Sequence, residues 1–182
     1  PLFAQGKLSP EKEKEALAVL QSDAPNAEKA IACKKLAIDG SAAAVPDLAK
    51  LLSDPKLASW ARIALEAIPD PAADEALRQA MSGLKGNLLV GVINSIAARR
   101  DAKAIDALAD RLRDANAEVA SAAAVALGRI GGPDAVAELR RDYGFPELRQ
   151  IRHLFGLVGR PALHSLSPRL HNAAYRALGL PA

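Results

Sequence analysis

AIDALADRLRDANAEVASAAAVALGRIGGPD, residues 104–134, is the stretch that decides the fold. Ile105, Leu108 and Leu112 recur at helical spacing, and so do Val119, Ala123, Leu127 and Ile130. A short polar break separates the two helices, and Gly131-Gly132-Pro133 stops the second. Each helix carries an apolar stripe with a polar remainder, so each needs a neighbour to bury its stripe.

The neighbours are further copies. Leu108 has counterparts at Leu17, Leu48, Leu77 and Leu139, at intervals of 31, 29, 31 and 31 residues. In the second helices Leu36, Ala67, Ile96 and Leu127 follow a similar beat of 31, 29 and 31. The break repeats as Ser22-Asp23 and Ser53-Asp54, with Asp114 in the same place 60 residues after Asp54. Two helices per period of about 30 residues predict a mainly α chain, an α-solenoid of about four helical hairpins. Its units run from about Pro10 to Gly40, Ser41 to Asp70 and Pro71 to Lys103, and then through the unit quoted above. Ser9-Pro10 reads as a helix start, and Gly40 as a left-handed stop for the second helix. A fifth first-helix, Ala135 to Arg141, fails at Tyr143-Gly144-Phe145-Pro146.

This pattern resembles the HEAT-like repeats of the phycobilisome-lyase type. AVPDLAKLLSDPKLASWARIALEAI (44–68) and VASAAAVALGRIGGPDAVAEL (119–139) carry the resemblance, which covers about residues 11–141. It implies a scaffold for protein contacts, with a protein partner. The second-helix arginine frequent in such repeats appears only as Arg62, and no aromatic or charged stripe is expected to mark the surface.

Composition bounds the alternatives. Apolar residues make up 50% and aromatics 3%, so alanine and leucine build the core and let helices approach closely. A net charge of +3 is too small to imply nucleic acid as a partner. The longest apolar run, Leu88 to Ile93, is far too short to cross a bilayer, so no membrane association is expected. Cys33, the one cysteine, reads as a small buried core residue at the repeat position of Ala64. The chain begins with Pro1 rather than Met, as a processed chain or a fragment would.

Near residue 142 the composition changes. Residues 140–182 hold seven Arg against Asp142 and Glu147, four of the six aromatics beyond residue 142, and all three His. The expected organisation is a leader over 1–10, the solenoid over 11–141, a linker over 142–152 and a different segment over 153–182. That last segment, HLFGLVGRPALHSLSPRLHNAAYRALGL through Leu180, does not fit the repeat. His153 to Gly159 reads as a buried strand and Arg160 to Leu166 as a loop. Ser167-Pro168 starts a helix with Leu170, Ala174 and Leu178 as its stripe. Such a strand–loop–helix segment is of α/β type. The first turn of the helix, with the hydroxyls of Ser165 and Ser167 beside it, suits a carboxylate. The alternative is that Ser167 only caps the helix and Ser165 is an ordinary loop serine.

GLVGRPALHSLSPRLHNAAYRALGL resembles the start of the shikimate dehydrogenase substrate-binding domain, with its Gly-x-Pro turn and His-Ser-x-Ser-Pro loop. The pair His171-Asn172 also matches, whereas Arg160 stands where that family more often has Asn or His. The resemblance implies that Ser165 and Ser167 bind the carboxylate of a shikimate-like ligand. It also implies a cytoplasmic location and, for a full-length enzyme, NADP-dependent reduction of 3-dehydroshikimate. The family's catalytic Lys and Asp and its Gly-rich NADP domain come later than Ala182, so no catalytic residue and no cofactor site is expected in this chain. Shikimate is expected to bind weakly at most. His164 and His171 have no Cys or carboxylate cluster beside them, so no metal site is expected either.

Overall fold

The computed structural model of the chain describes residues 10–143, and all of its regular elements are helical. They are α1 (Pro10–Gln21), α2 (Asn26–Asp39), α3 (Val45–Lys50), α4 (Ala58–Ala67), α5 (Pro71–Gly83), α6 (Gly86–Arg99), α7 (Ile105–Arg111), α8 (Ala117–Ile130) and α9 (Gly132–Tyr143). Single 3-10 turns at Ala42–Ala44, Leu51–Ser53 and Ala102–Ala104 flank α3 and precede α7. The expected strand and the serine loop of 153–182 lie outside the described residues, as does most of the leader.

The helices form two compact units, one ending at Arg99 and one beginning at Arg100. In the first, α1–α2, α3–α4 and α5–α6 are antiparallel hairpins stacked side by side. The first helices make one row, α1 on α3 and α3 on α5; the second helices make another, α2 on α4 and α4 on α6. In the second unit α7 pairs with α8, and α9 packs on both. These are the helical hairpins of a repeat solenoid.

Side chains at the repeat positions fill the space between the rows. Leu48, Leu77 and Leu108 are fully buried, and Leu139 nearly so. Leu17 is only half-buried, because among the described residues α1 has a first helix on one side only; Ala16 and Leu20 serve as its buried residues.

The second-helix beat needs a correction. Ala67 is exposed, and Leu65 takes the core position with Leu36, Ile96 and Leu127. The intervals are therefore 29, 31 and 31. From each second-helix core residue to the next first-helix leucine the distance is a constant 12 residues, Leu36 to Leu48 through Leu127 to Leu139. The two missing residues lie inside the second hairpin, between Asp54 and Leu65, which are 11 apart where Asp114 and Leu127 are 13 apart; α4 is correspondingly short, with 10 residues against 14 in α8. Before it the chain leaves α3 by the 3-10 turn Leu51–Ser53, and Asp54 turns it by accepting the Lys56 N–H (2.7 Å). Asp114 makes the same short turn 60 residues later, accepting the Asn116 N–H.

The junctions between hairpins repeat as well. Ser41, Asp70 and Asp101 each accept the backbone N–H two residues on, satisfying a donor that the new helical turn leaves open. Gly40, however, is not left-handed. Its backbone is extended (φ −65°, ψ 149°), and the reason for glycine is contact, since a Cβ there would stand 2.5 Å from the Leu36 carbonyl oxygen. Gly131 and Gly132, at φ +69° and +84°, do need glycine's freedom.

Candidate functional site

Three constellations of side chains stand out in the first unit. The tightest is built around Arg99, in the last turn of α6, with a side chain only 10% exposed. Its Nη1 donates to the carbonyls of Leu65 (2.9 Å), Glu66 (3.1 Å) and Ile68 (2.6 Å). Its Nη2 donates to the carbonyl of Asp70 and to Asp74 Oδ2, while Nε donates to Asp74 Oδ1. Arg99 therefore closes the open carbonyl end of α4 and holds the start of α5, with no donor direction left for a ligand.

The second constellation lies between α4 and α6. Arg62 Nη1 donates to the Gly91 carbonyl (3.1 Å) and to Ser95 Oγ (3.2 Å), and the buried Ser95 hydroxyl donates to Glu66 Oε1 (2.6 Å). Gly91 makes room for it, since a Cβ there would come within 2.8 Å of Arg62 Nε. The set is internally satisfied and ties neighbouring repeats together.

The third is apolar and open to solvent. Ile31 (55% exposed) and Ile38 (64%) lie on α2, and Trp60 (40%) and Ile63 (49%) on α4. With Leu36 and Leu65 as equivalent core positions, Ile31 and Trp60 occupy one repeat position, 29 residues apart. The four therefore share the outer face of two second helices packed on each other. Between the isoleucines, Lys34 and Lys35 are exposed too, and neither makes an ion pair or side-chain hydrogen bond among the described residues. In the second unit, taken by itself, α8 exposes Val125 (44%).

The sequence reading missed this face because of the Ala67 register. Trp60, Ile63 and Ala67 lie at i, i+3 and i+7; a helix with Ala67 inward turns all three inward, and one with Leu65 inward turns them out. The available signal was the constant 12-residue step, which only Leu65 satisfies.

Other chemistry is limited among the described residues. Cys33 is fully buried, and burial pushes its thiol up to about 11, so it is a neutral core side chain at physiological pH. No group of three His, Cys, Asp or Glu there is placed to hold a metal. No helix there is long and apolar enough to cross a membrane. Ser165 and Ser167 lie outside the described residues. The described residues do not fit NADP, whose pyrophosphate takes a strand, a glycine-rich turn and a helix in sequence; every element here is helical.

The class that these helical hairpins define has a counterpart among known families: the model of HEAT repeats matches residues 86–150, which begin at α6 and take in the second unit's helices. Among curated proteins the chain is similar, over short stretches, to two enzymes. Shikimate dehydrogenase (NADP(+)) of Thermococcus kodakarensis is 67% identical over 27 residues, 15% of this chain and 10% of the enzyme. Shikimate dehydrogenase (NADP(+)) of Rubrobacter xylanophilus is 51% identical over 35 residues, 19% of this chain and 12% of the enzyme. The chain thus spans about a tenth of the length of the curated relatives it matches.

Proposed function

We propose that the chain is a HEAT-like repeat scaffold, of the phycobilisome-lyase type, that binds a protein partner through the outer face of α2 and α4. The observation that carries this reading is the cluster of Ile31, Ile38, Trp60 and Ile63, four large apolar side chains left exposed on adjacent helices. Single exposed apolar residues are ordinary on a protein surface, but a contiguous group on one rigid face is a feature of interaction sites. An aromatic in the group also favours binding energy concentrated in few contacts.

Capture of proteins from a native lysate by the chain and by Ile63→Asp tests it. Both proteins should melt at nearly the same temperature, because Ile63 does not pack in the core. A specific set of captured proteins should be lost with the variant. The same captured set from both would overturn the reading.

A second reading is favoured by the short matches to shikimate dehydrogenase. In it Ser165 and Ser167 bind the carboxylate of a shikimate-like ligand, and NADP and reduction of 3-dehydroshikimate belong to a longer enzyme of cytoplasmic type. Calorimetric titration of shikimate into the chain and into Ser165→Ala/Ser167→Ala tests it. Weak binding that vanishes in the variant supports it, and identical titrations count against it.

A further inference from the structure

Resting on the scaffold reading, we infer that the α2–α4 face takes one kind of occupant: an acidic amphipathic helix of a partner protein. Spacing gives the first argument. Ile31 and Ile38 are seven residues apart on α2, and Trp60, Ile63 and Ala67 keep i, i+3, i+7 spacing on α4. Each helix thus shows a seam with the seven-residue period at which one helix packs along another. Two such seams side by side make a bed for a third helix, the arrangement in which amphipathic helices are recognised by i, i+3, i+4, i+7 anchors.

Charge gives the second argument. Lys34 and Lys35 fill the two positions between Ile31 and Ile38 on that stripe, both exposed and unpaired among the described residues. The exposed residues of α4, Ser59, Trp60, Ile63 and Ala67, carry no charge to answer them. The acids of α2 stand at its two ends, Glu28 in the first turn and Asp39 as the last residue, so that the middle of the stripe holds only the lysines. An occupant that lays leucine-like side chains on the isoleucines and Trp60 therefore meets two ammonium groups in the middle, which carboxylates complement. A lipid surface fits less well, because juxtaposed basic clusters that hold anionic membranes carry about four to eight Lys or Arg, and this face has two.

Trp60 is the one tryptophan, so its emission reports on the face directly. The probes are two synthetic 18-residue helical peptides with leucine at the seam positions and either glutamate or lysine elsewhere, and vesicles of phosphatidylcholine with phosphatidylserine. The glutamate peptide should blue-shift Trp60 and shield it from acrylamide with saturation. Lys34→Glu/Lys35→Glu should weaken that binding about tenfold or more and turn the preference toward the lysine peptide. Equal binding of both peptides to both proteins, or no shielding by either, would overturn the inference. So would shielding by vesicles alone, or shielding that follows protein concentration without a peptide, which would mark a second copy as the occupant. Lysate capture that is lost with Ile63→Asp but indifferent to the lysine reversal would leave the scaffold reading standing and remove only the acidic helix.

Discussion

Arg99 ties two hairpins of the first unit together, because one planar group serves four carbonyls and a carboxylate across them. Removing it leaves the carbonyls at the end of α4 and the Asp74 carboxylate without their donor. Arg99→Ala should cost about 3 kcal/mol in urea unfolding. Arg99→Lys should recover only a minor part of that, since an ammonium keeps the charge and loses the fork. Full recovery by lysine would show that charge alone matters. Leu77, fully buried, should cost roughly 2–5 kcal/mol when cut to alanine, and an unchanged melting temperature would mean that it is not core. The Cys33 thiol, buried and held protonated, should react with a disulfide reagent only as the chain opens. Fast labelling of the native protein would contradict its place in α2.

At the scale of helices, much was legible in the sequence, and what was not has a physical cause. Leucines at 48, 77, 108 and 139 announce the first helices because each of those positions is buried whatever the loops do. The second-helix beat breaks at Ala67, since α4, with 10 residues against 14 in α2, α6 and α8, shortens one hairpin without disturbing the average period. Gly40 was read as a left-handed stop, but the Leu36 carbonyl excludes a side chain there for another reason. Arg99 was invisible because its partners lie 25 to 34 residues away. The serine loop at 165–167 was read from its motif, and its arrangement lies outside the described residues. One junction also responds to pH. Asp47 on α3 accepts from Lys50 Nζ and, across to α1, from Gln21 Nε2. Those donors, Lys50 foremost, hold its carboxyl below the usual range of about 4. A carboxyl lowered on folding stabilises the fold above its unfolded pKa, and the effect disappears as pH falls through the lower folded value. Asp47→Asn should therefore flatten part of the acid-side loss of stability below about pH 4, measured by urea unfolding at several pH values. An unchanged slope would remove Asp47 from that role.

For the molecule as a whole, the repeats both build the core and leave a surface. The same register that sends Leu36 and Leu65 inward sends Ile31, Ile38, Trp60 and Ile63 outward, so fold and proposed function rest on one fact. The match to HEAT repeats over 86–150 covers the hairpins that follow this face rather than the face itself, which lies on α2 and α4. The most direct measurement is therefore acrylamide quenching of Trp60 in the dilute, native chain. With Trp60 on the outer face, its emission should be red-shifted and readily quenched. Blue-shifted emission with Trp60 shielded from acrylamide would place it inside the helical stack and contradict both the register and the face.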